Sequence, residues 1–358
     1  MAKIDLLFDA LLASGGSDLH LGITYPPLMR LRGDLVAMRE EPITPPEMES
    51  LLFEIASSEQ QKTIALALDL DFAYAYADKA RFRANYFYKT TGLAAVFRTI
   101  PTKILSLDDL KCPPSVRRLA ERRAGLVLVT GPTGSGKSTT LAAMVDHINR
   151  TRACHVLTIE DPVEFVHTPQ KASITHREIG IHASTYAHAI RSAGREDPNV
   201  ILIGELRTNE TMKLALQLAS FGILVFATVH TNSAAATIDR IVNAFPADEQ
   251  PQVRGMLAES LAGIVAQQLL RTADGKKRVA AHEILVGSPA LASMIRENKT
   301  FQVPSLMQGG QAQGMQTMDM ALERHVREKT ISAETALEKA IDKETFAKLL
   351  KQNEMAPL

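Results

Sequence analysis

The run Gly131-Pro132-Thr133-Gly134-Ser135-Gly136-Lys137-Ser138 constrains this 358-residue chain more than any other stretch, because of what stands on either side of it. Ahead of it, Leu126-Val-Leu-Val-Thr130 is apolar and β-branched, as a buried strand is; behind it, Thr139 to Ile148 reads as a helix. A strand, a glycine-rich loop and a helix in succession turn the pattern Gly-x4-Gly-Lys-Ser into a phosphate-binding mechanism. Glycines let backbone amides close around phosphate oxygens, and the helix N-terminus favours their negative charge. Lys137 can then reach the β- and γ-phosphates, and Ser138 can ligate Mg²⁺. The expected nucleotide-binding set is Gly131, Pro132, Thr133, Gly134, Ser135, Gly136, Lys137, Ser138 and Thr139.

From Val116 onward strands alternate with helices, with strands expected at 126–130, 155–159, 200–203, 224–229 and 282–286. These are near-continuous apolar runs, which predicts an α/β domain with a mainly parallel sheet covered on both faces. Residues 289–350 are polar and helical in pattern, broken near Gly309-Gly310. The first hundred residues read differently. Ile4, Leu7, Phe8 and Leu11 give an amphipathic opening helix that Gly15-Gly16 stops. Alternating strands are expected at 18–21, 28–32, 71–76 and 81–88, and Thr44-Pro-Pro-Glu47 caps a second helix. The expected layout is a small α+β domain over 1–100, a proline-bounded linker over 101–115, and a second domain over 116–358.

Formal net charge is zero, so nothing in the composition points to nucleic acid; the local cluster Arg117, Arg118, Arg122 and Arg123 reads as a solvated helix face. Two cysteines, Cys112 and Cys154, without a pairing pattern suit a reducing compartment. No charged-then-apolar segment opens the chain, so no secretory signal is expected. The longest apolar stretch, 214–229, is interrupted by Gln217, Ser220 and Thr228 and is too short to span a bilayer.

Hydrolysis needs acids at the ends of strands neighbouring the loop. Val200-Ile-Leu-Ile-Gly204-Glu205 is an apolar strand ending in a carboxylate that can orient or deprotonate an attacking water. Glu160 and Asp161 leave the strand His155–Ile159 together, and Glu160 can hold waters around Mg²⁺. Leu224 to Val229 ends at His230-Thr231, which places a histidine at the same edge as a γ-phosphate sensor. Arg81 and Arg83 alternate with Phe82 and Ala84, so both guanidinium groups face one side of a strand. That fits an ordinary exposed strand face, and equally an arginine supply for phosphate charge from this subunit or a neighbour. No Asn-Lys-x-Asp segment suggests guanine recognition.

Together these motifs resemble the secretion ATPase superfamily, most closely the PilT-like type IV pilus retraction ATPases, over nearly the whole chain. Gly131 to Ser138 resembles the family's Walker A loop, Thr158-Ile-Glu160-Asp161-Pro-Val-Glu-Phe165 its Asp box, Gly204-Glu205-Leu-Arg207 its Walker B end and Thr228-Val-His230-Thr231 its His box. Gly16-Ser-Asp-Leu-His-Leu21, Arg81-Phe-Arg-Ala-Asn85 and Phe97-Arg98-Thr-Ile-Pro101 are similar to segments of its PAS-like N-terminal domain. Ala292 to Glu297 and Gly314 to Asp319 resemble the C-terminal region of retraction motors. The resemblance implies a RecA-like P-loop core with a smaller PAS-like domain, and ATP and Mg²⁺ as cofactors. It implies Glu205 as the catalytic glutamate, Glu160 acting near Mg²⁺ and water, His230 near the nucleotide, and Arg81, Arg83 and Arg98 as charge-stabilising candidates. A cytoplasmic homo-hexamer follows, docked at the inner membrane on a PilC-like platform protein and working beside other pilus ATPases. An accessory PilU-like motor, another secretion-superfamily ATPase or a non-hydrolysing nucleotide-binding regulator of such a motor shares much of this pattern. Departures are Thr208 after Arg207, where an acid is usual, and Ser220-Phe-Gly-Ile223 before the His box.

Overall fold

A computed structural model describes residues 2–31, 33–77, 79–100 and 103–352. Arg32 and the first two positions of the expected linker, Pro101 and Thr102, lie outside the described residues. The chain forms two compact units: one is Met1–Lys103 with Asp161–Val166, the other Ile104–Glu160 with His167–Leu358. That Asp161–Val166 leaves the second unit's run to join the first is not readable from local pattern.

The first unit carries helices α1 (Asp5–Ser14), α2 (Pro45–Phe53) and α3 (Ser58–Ala67), and strands β1 (Asp18–Gly22), β2 (Leu28–Leu31), β3 (Asp34–Ala37), β4 (Asp69–Tyr76), β5 (Ala80–Lys89) and β6 (Gly92–Ile100). Its sheet is antiparallel, in the order β3-β2-β1-β6-β5-β4. Thr44 caps α2 by accepting from the Glu47 amide, as the Thr-Pro-Pro-Glu run predicts. Alternation along β5 gives the sheet two chemically different faces. Phe82, Ala84 and Tyr86 are buried with Phe8, Leu19, Leu21, Phe72 and Phe97, and the Phe8 and Phe82 rings stack at 4.2 Å. Arg81 and Arg83 take the opposite face.

In the second unit the order is α4 (Pro114–Ala120), β7 (Gly125–Thr130), α5 (Lys137–Thr151), β8 (His155–Glu160), β9 (Ser173–Glu178), α6 (Tyr186–Ala193), β10 (Val200–Ile203), α7 (Asn209–Ser220), β11 (Leu224–Val229), α8 (Ala234–Asn243), α9 (Gln250–Ser260), β12 (Leu261–Arg271) and β13 (Arg278–Val286). Helices α10 (Pro289–Arg296), α11 (Val303–Gly309), α12 (Met318–Arg327), α13 (Ala333–Lys339) and α14 (Lys343–Gln352) complete it. The sheet order is β13-β12-β7-β11-β10-β8-β9, parallel throughout except for the β12–β13 pair. Every residue of β7, β10 and β11 is buried, which is what a sheet covered on both faces requires. Leu126 and Leu128 join one core with α6 to α9, while Val127 and Val129 join another with α4 and α5. The five expected strands form, and β9 and β12 were not foreseen. No helix among the described residues is long and apolar enough to cross a membrane.

Candidate nucleotide site

Strands β8, β10, β11 and β7 are neighbours and parallel, so their carboxyl ends share one edge of the sheet. Across that edge follow Glu160, Glu205, His230 and the glycine loop, each at or just past its strand's end. Neighbouring strands are spaced at about 4.8 Å, so His230, Glu205 and Glu160 follow at one, two and three strand spacings from the loop.

The loop is strongly turned. Gly131, Gly134 and Gly136 all have positive φ, at 142°, 79° and 88°. Gly131 is also packed so closely that a Cβ there would lie 2.3 Å from the Gln267 carbonyl oxygen, which only glycine tolerates. α5 starts at Lys137 with no side-chain cap, leaving its first-turn amides for another acceptor. Lys137 is buried and folds back on the loop, where Nζ donates to the carbonyls of Gly131 at 2.9 Å and Pro132 at 3.1 Å. Ser138 and Thr139 are half-buried on the first helical turn. Pro132, Thr133 and Gly134 are exposed at the loop's crest. Within the loop the buried Ser135 Oγ has no hydrogen-bond partner among the described residues.

Glu205 is held from both sides. One carboxylate oxygen lies 3.4 Å from His230 Nε2 and the other 2.8 Å from Arg207 Nη2. The backbone supports this placement: Gly204 N donates to the Ile159 carbonyl, Leu206 N to the Thr228 carbonyl, and Thr228 Oγ1 to Gly204 O. Arg207 was not among the expected site residues, although its motif contains it. Beyond His230, α8 is capped by Ser233, and the buried Glu283 of β13 accepts from the Ala234 amide at 2.6 Å. The same carboxylate accepts from the Met318 amide at the start of α12, and burial pushes its pKa up. Next to Glu160, Thr158 Oγ1 pairs with His176 Nδ1, whose Nε2 accepts from the His167 amide.

Arg81, Arg83 and Arg98 lie in the first unit. Arg83 is bound by Asp71 through both Nε and Nη2, and Asp71 pushes its pKa up. Arg98 Nε donates to Asp18 Oδ1 at 2.7 Å and stands directly across from Arg83 in the sheet. Arg81 donates to the Val163 carbonyl, and its buried Nε has no hydrogen-bond partner among the described residues.

These residues fit a nucleotide's phosphates: a glycine cradle, an uncapped helix N-terminus and an ammonium group at the loop. No cluster of three histidine, cysteine or acidic side chains suited to a metal exists among the described residues. Ser138, on the first turn of α5, could hold Mg²⁺ together with phosphate oxygens.

The family model described as "Type II/IV secretion system protein" matches residues 73–355. A twitching motility protein of Neisseria gonorrhoeae is 49% identical over 321 residues, covering 90% of this chain and 86% of the relative. The type IV pilus retraction ATPase PilT of Pseudomonas aeruginosa is 47% identical over 332 residues, covering 93% and 96%. Among solved structures, a crystal structure of the pilus retraction motor PilT with bound ADP superposes with a TM-score of 0.88 at 40% identity, covering 96% of this chain and 98% of that one. The chain belongs to the type II/IV secretion system protein family.

Proposed function

We propose that this chain is an ATP-hydrolysing motor that powers type IV pilus retraction, working as a homo-hexamer on a PilC-like platform protein at the cytoplasmic face of the inner membrane. The observation that carries the hydrolytic reading is Glu205, fixed between His230 and Arg207 at the sheet edge that also bears the phosphate loop. A carboxylate whose two oxygens are held by neighbouring side chains is set to align water for in-line attack on the γ-phosphate. Lys137 exchanges its loop carbonyls for phosphate oxygens as the nucleotide enters, and His230 reads the γ-phosphate through its link to Glu205. Ser138 would hold Mg²⁺, with Glu160 acting through water, and the ion when bound would supply neutralising charge for the phosphates. Arg81, Arg83 and Arg98 are candidates for further charge stabilisation, from the same subunit or a neighbour.

Replacing Glu205 with Gln keeps the shape and removes the charge. ADP and ATP binding should survive while steady-state phosphate release is lost; retained turnover would remove Glu205 from the catalytic role. In cells, deleting the gene should leave surface pili abundant and twitching absent. Loss of pili would point instead to an extension motor.

A further inference from the structure

Gln267 lies on β12 and is almost fully buried, with 3% exposed. Its side-chain amide is used at both ends. Nε2 donates to the Ser135 carbonyl at 2.6 Å, and Oε1 accepts from Thr140 Oγ1 at 2.7 Å. Swapping the two ends would set two oxygens face to face at Ser135, so the network fixes the amide's orientation. The backbone of the same residue closes on the loop's beginning, because its carbonyl oxygen is what a Cβ at Gly131 would strike. A single residue of a neighbouring strand thus touches the loop's start, its last turn and the first turn of α5.

We propose that Gln267 is the positioning residue of the phosphate loop; this rests on the nucleotide reading given above. Across a trans peptide the carbonyl and the following N–H point in opposite directions. Holding the Ser135 carbonyl against β12 therefore turns the Gly136 N–H away from β12 and toward the hollow that receives phosphate. The Thr140 bond fixes the start of α5 against the same strand. Lys137, Ser138 and Thr139 lie between these two anchor points, so their placement follows from the amide. Both bonds are buried, where losing a partner is more costly than at a surface.

Gln267→Met keeps the length and removes both bonds. ADP dissociation constant and ATP KM should rise roughly 10-fold, with kcat changing by less than about 3-fold, because binding geometry and not water activation is lost. Gln267→Glu keeps the acceptor for Thr140 but sets a carboxylate oxygen against the Ser135 carbonyl, and should weaken ADP binding at least as much. In a double-mutant cycle, Thr140→Val should cost clearly less in the Gln267→Met background than alone, since the two share one bond. A lowered unfolding temperature with unchanged ADP affinity and KM would overturn the proposal by making Gln267 a core residue only. A wild-type chain that binds no ADP would overturn the nucleotide reading itself, and the proposal with it.

Discussion

His282 makes the second unit sensitive to acid. It sits on β13 with 2% exposure, its Nε2 has no hydrogen-bond partner among the described residues, and burial together with the neighbouring His325 and Arg324 lowers its pKa to about 4. The unfolded chain titrates at the ordinary value of 6.5. Between those values the unfolded state binds the extra proton, so stability is present above pH 6.5 and is lost as pH falls toward 4. Integrating that difference from pH 7.5 to pH 5 gives a loss of about 2 kcal/mol from this one group. For an unfolding m-value of about 3 kcal/mol per molar urea, that is a midpoint shift of about 0.7 M. The chain has no tryptophan, so far-UV circular dichroism is the natural probe. Urea unfolding should be followed at pH 7.5 and pH 5.0 for wild type, His282→Asn and His282→Leu. Each variant is compared with itself across pH, so its own packing loss cancels. Both variants should lose about 2 kcal/mol less than wild type on acidification. His167, also lowered to about 4 by burial and by His176, still titrates in the variants and leaves a residual slope of the same sign. Equal acid losses in all three proteins would refute the reasoning.

The glycine loop makes a paired prediction. Gly131→Ala, with φ at 142° and a backbone oxygen in the way, should cost about 3 kcal/mol or more and abolish ADP binding, whereas Gly134→Ala, in open space at φ 79°, should cost about 1 kcal/mol; calorimetric ADP titration and thermal unfolding separate them. Glu283→Gln should lower stability by about 1 kcal/mol, because the amide cannot accept from both Ala234 and Met318. It should also remove a pH effect: with a raised carboxyl pKa in the fold, Glu283 contributes stability that is lost as pH rises through that pKa, and urea unfolding across that range checks it. Arg83→Ala removes an exposed pair with Asp71 and should cost less than about 1 kcal/mol in unfolding experiments. A large drop in ATP hydrolysis in that variant would then report on charge supplied to the nucleotide, and unchanged hydrolysis would leave Arg83 a structural partner of Asp71.

What the sequence made legible has a common cause. Val127, Ile201 and Phe226 belong to strands buried on both faces, and such strands are unbroken apolar runs whatever else they do. Once those strands are placed in parallel, Glu160, Glu205 and His230 fall at one edge because each stands at its strand's end. Position along the chain becomes position in space without any knowledge of contacts. Alternation did the same for Arg81 and Arg83, whose face follows from the period of two. It could not tell their use, since Asp71, which binds Arg83, comes from another strand, and that pairing depends on register across the sheet.

β12 was hidden for a different reason. Ala262 and the Ala266-Gln-Gln-Leu-Leu270 run are helix formers by intrinsic preference, and α9 leads straight into Leu261-Ala262, with Gly263 the one helix-breaking residue inside the strand. Pairing with β7 on one side and β13 on the other overrides that preference. β9 was missed because its Ile174-Thr-His-Arg-Glu178 segment is polar at the sheet's margin and lacks the apolar run of an inner strand. The consequence reaches the site. Gln267 is neutral, belongs to none of the motifs the sequence offered, and acts on Ser135 and Thr140 from more than 120 positions away. Residues that meet phosphate announce themselves through charge and glycine spacing, because the ligand dictates both. A residue that holds the loop answers only to the shape of its own protein, so its signal exists in three dimensions and not in one.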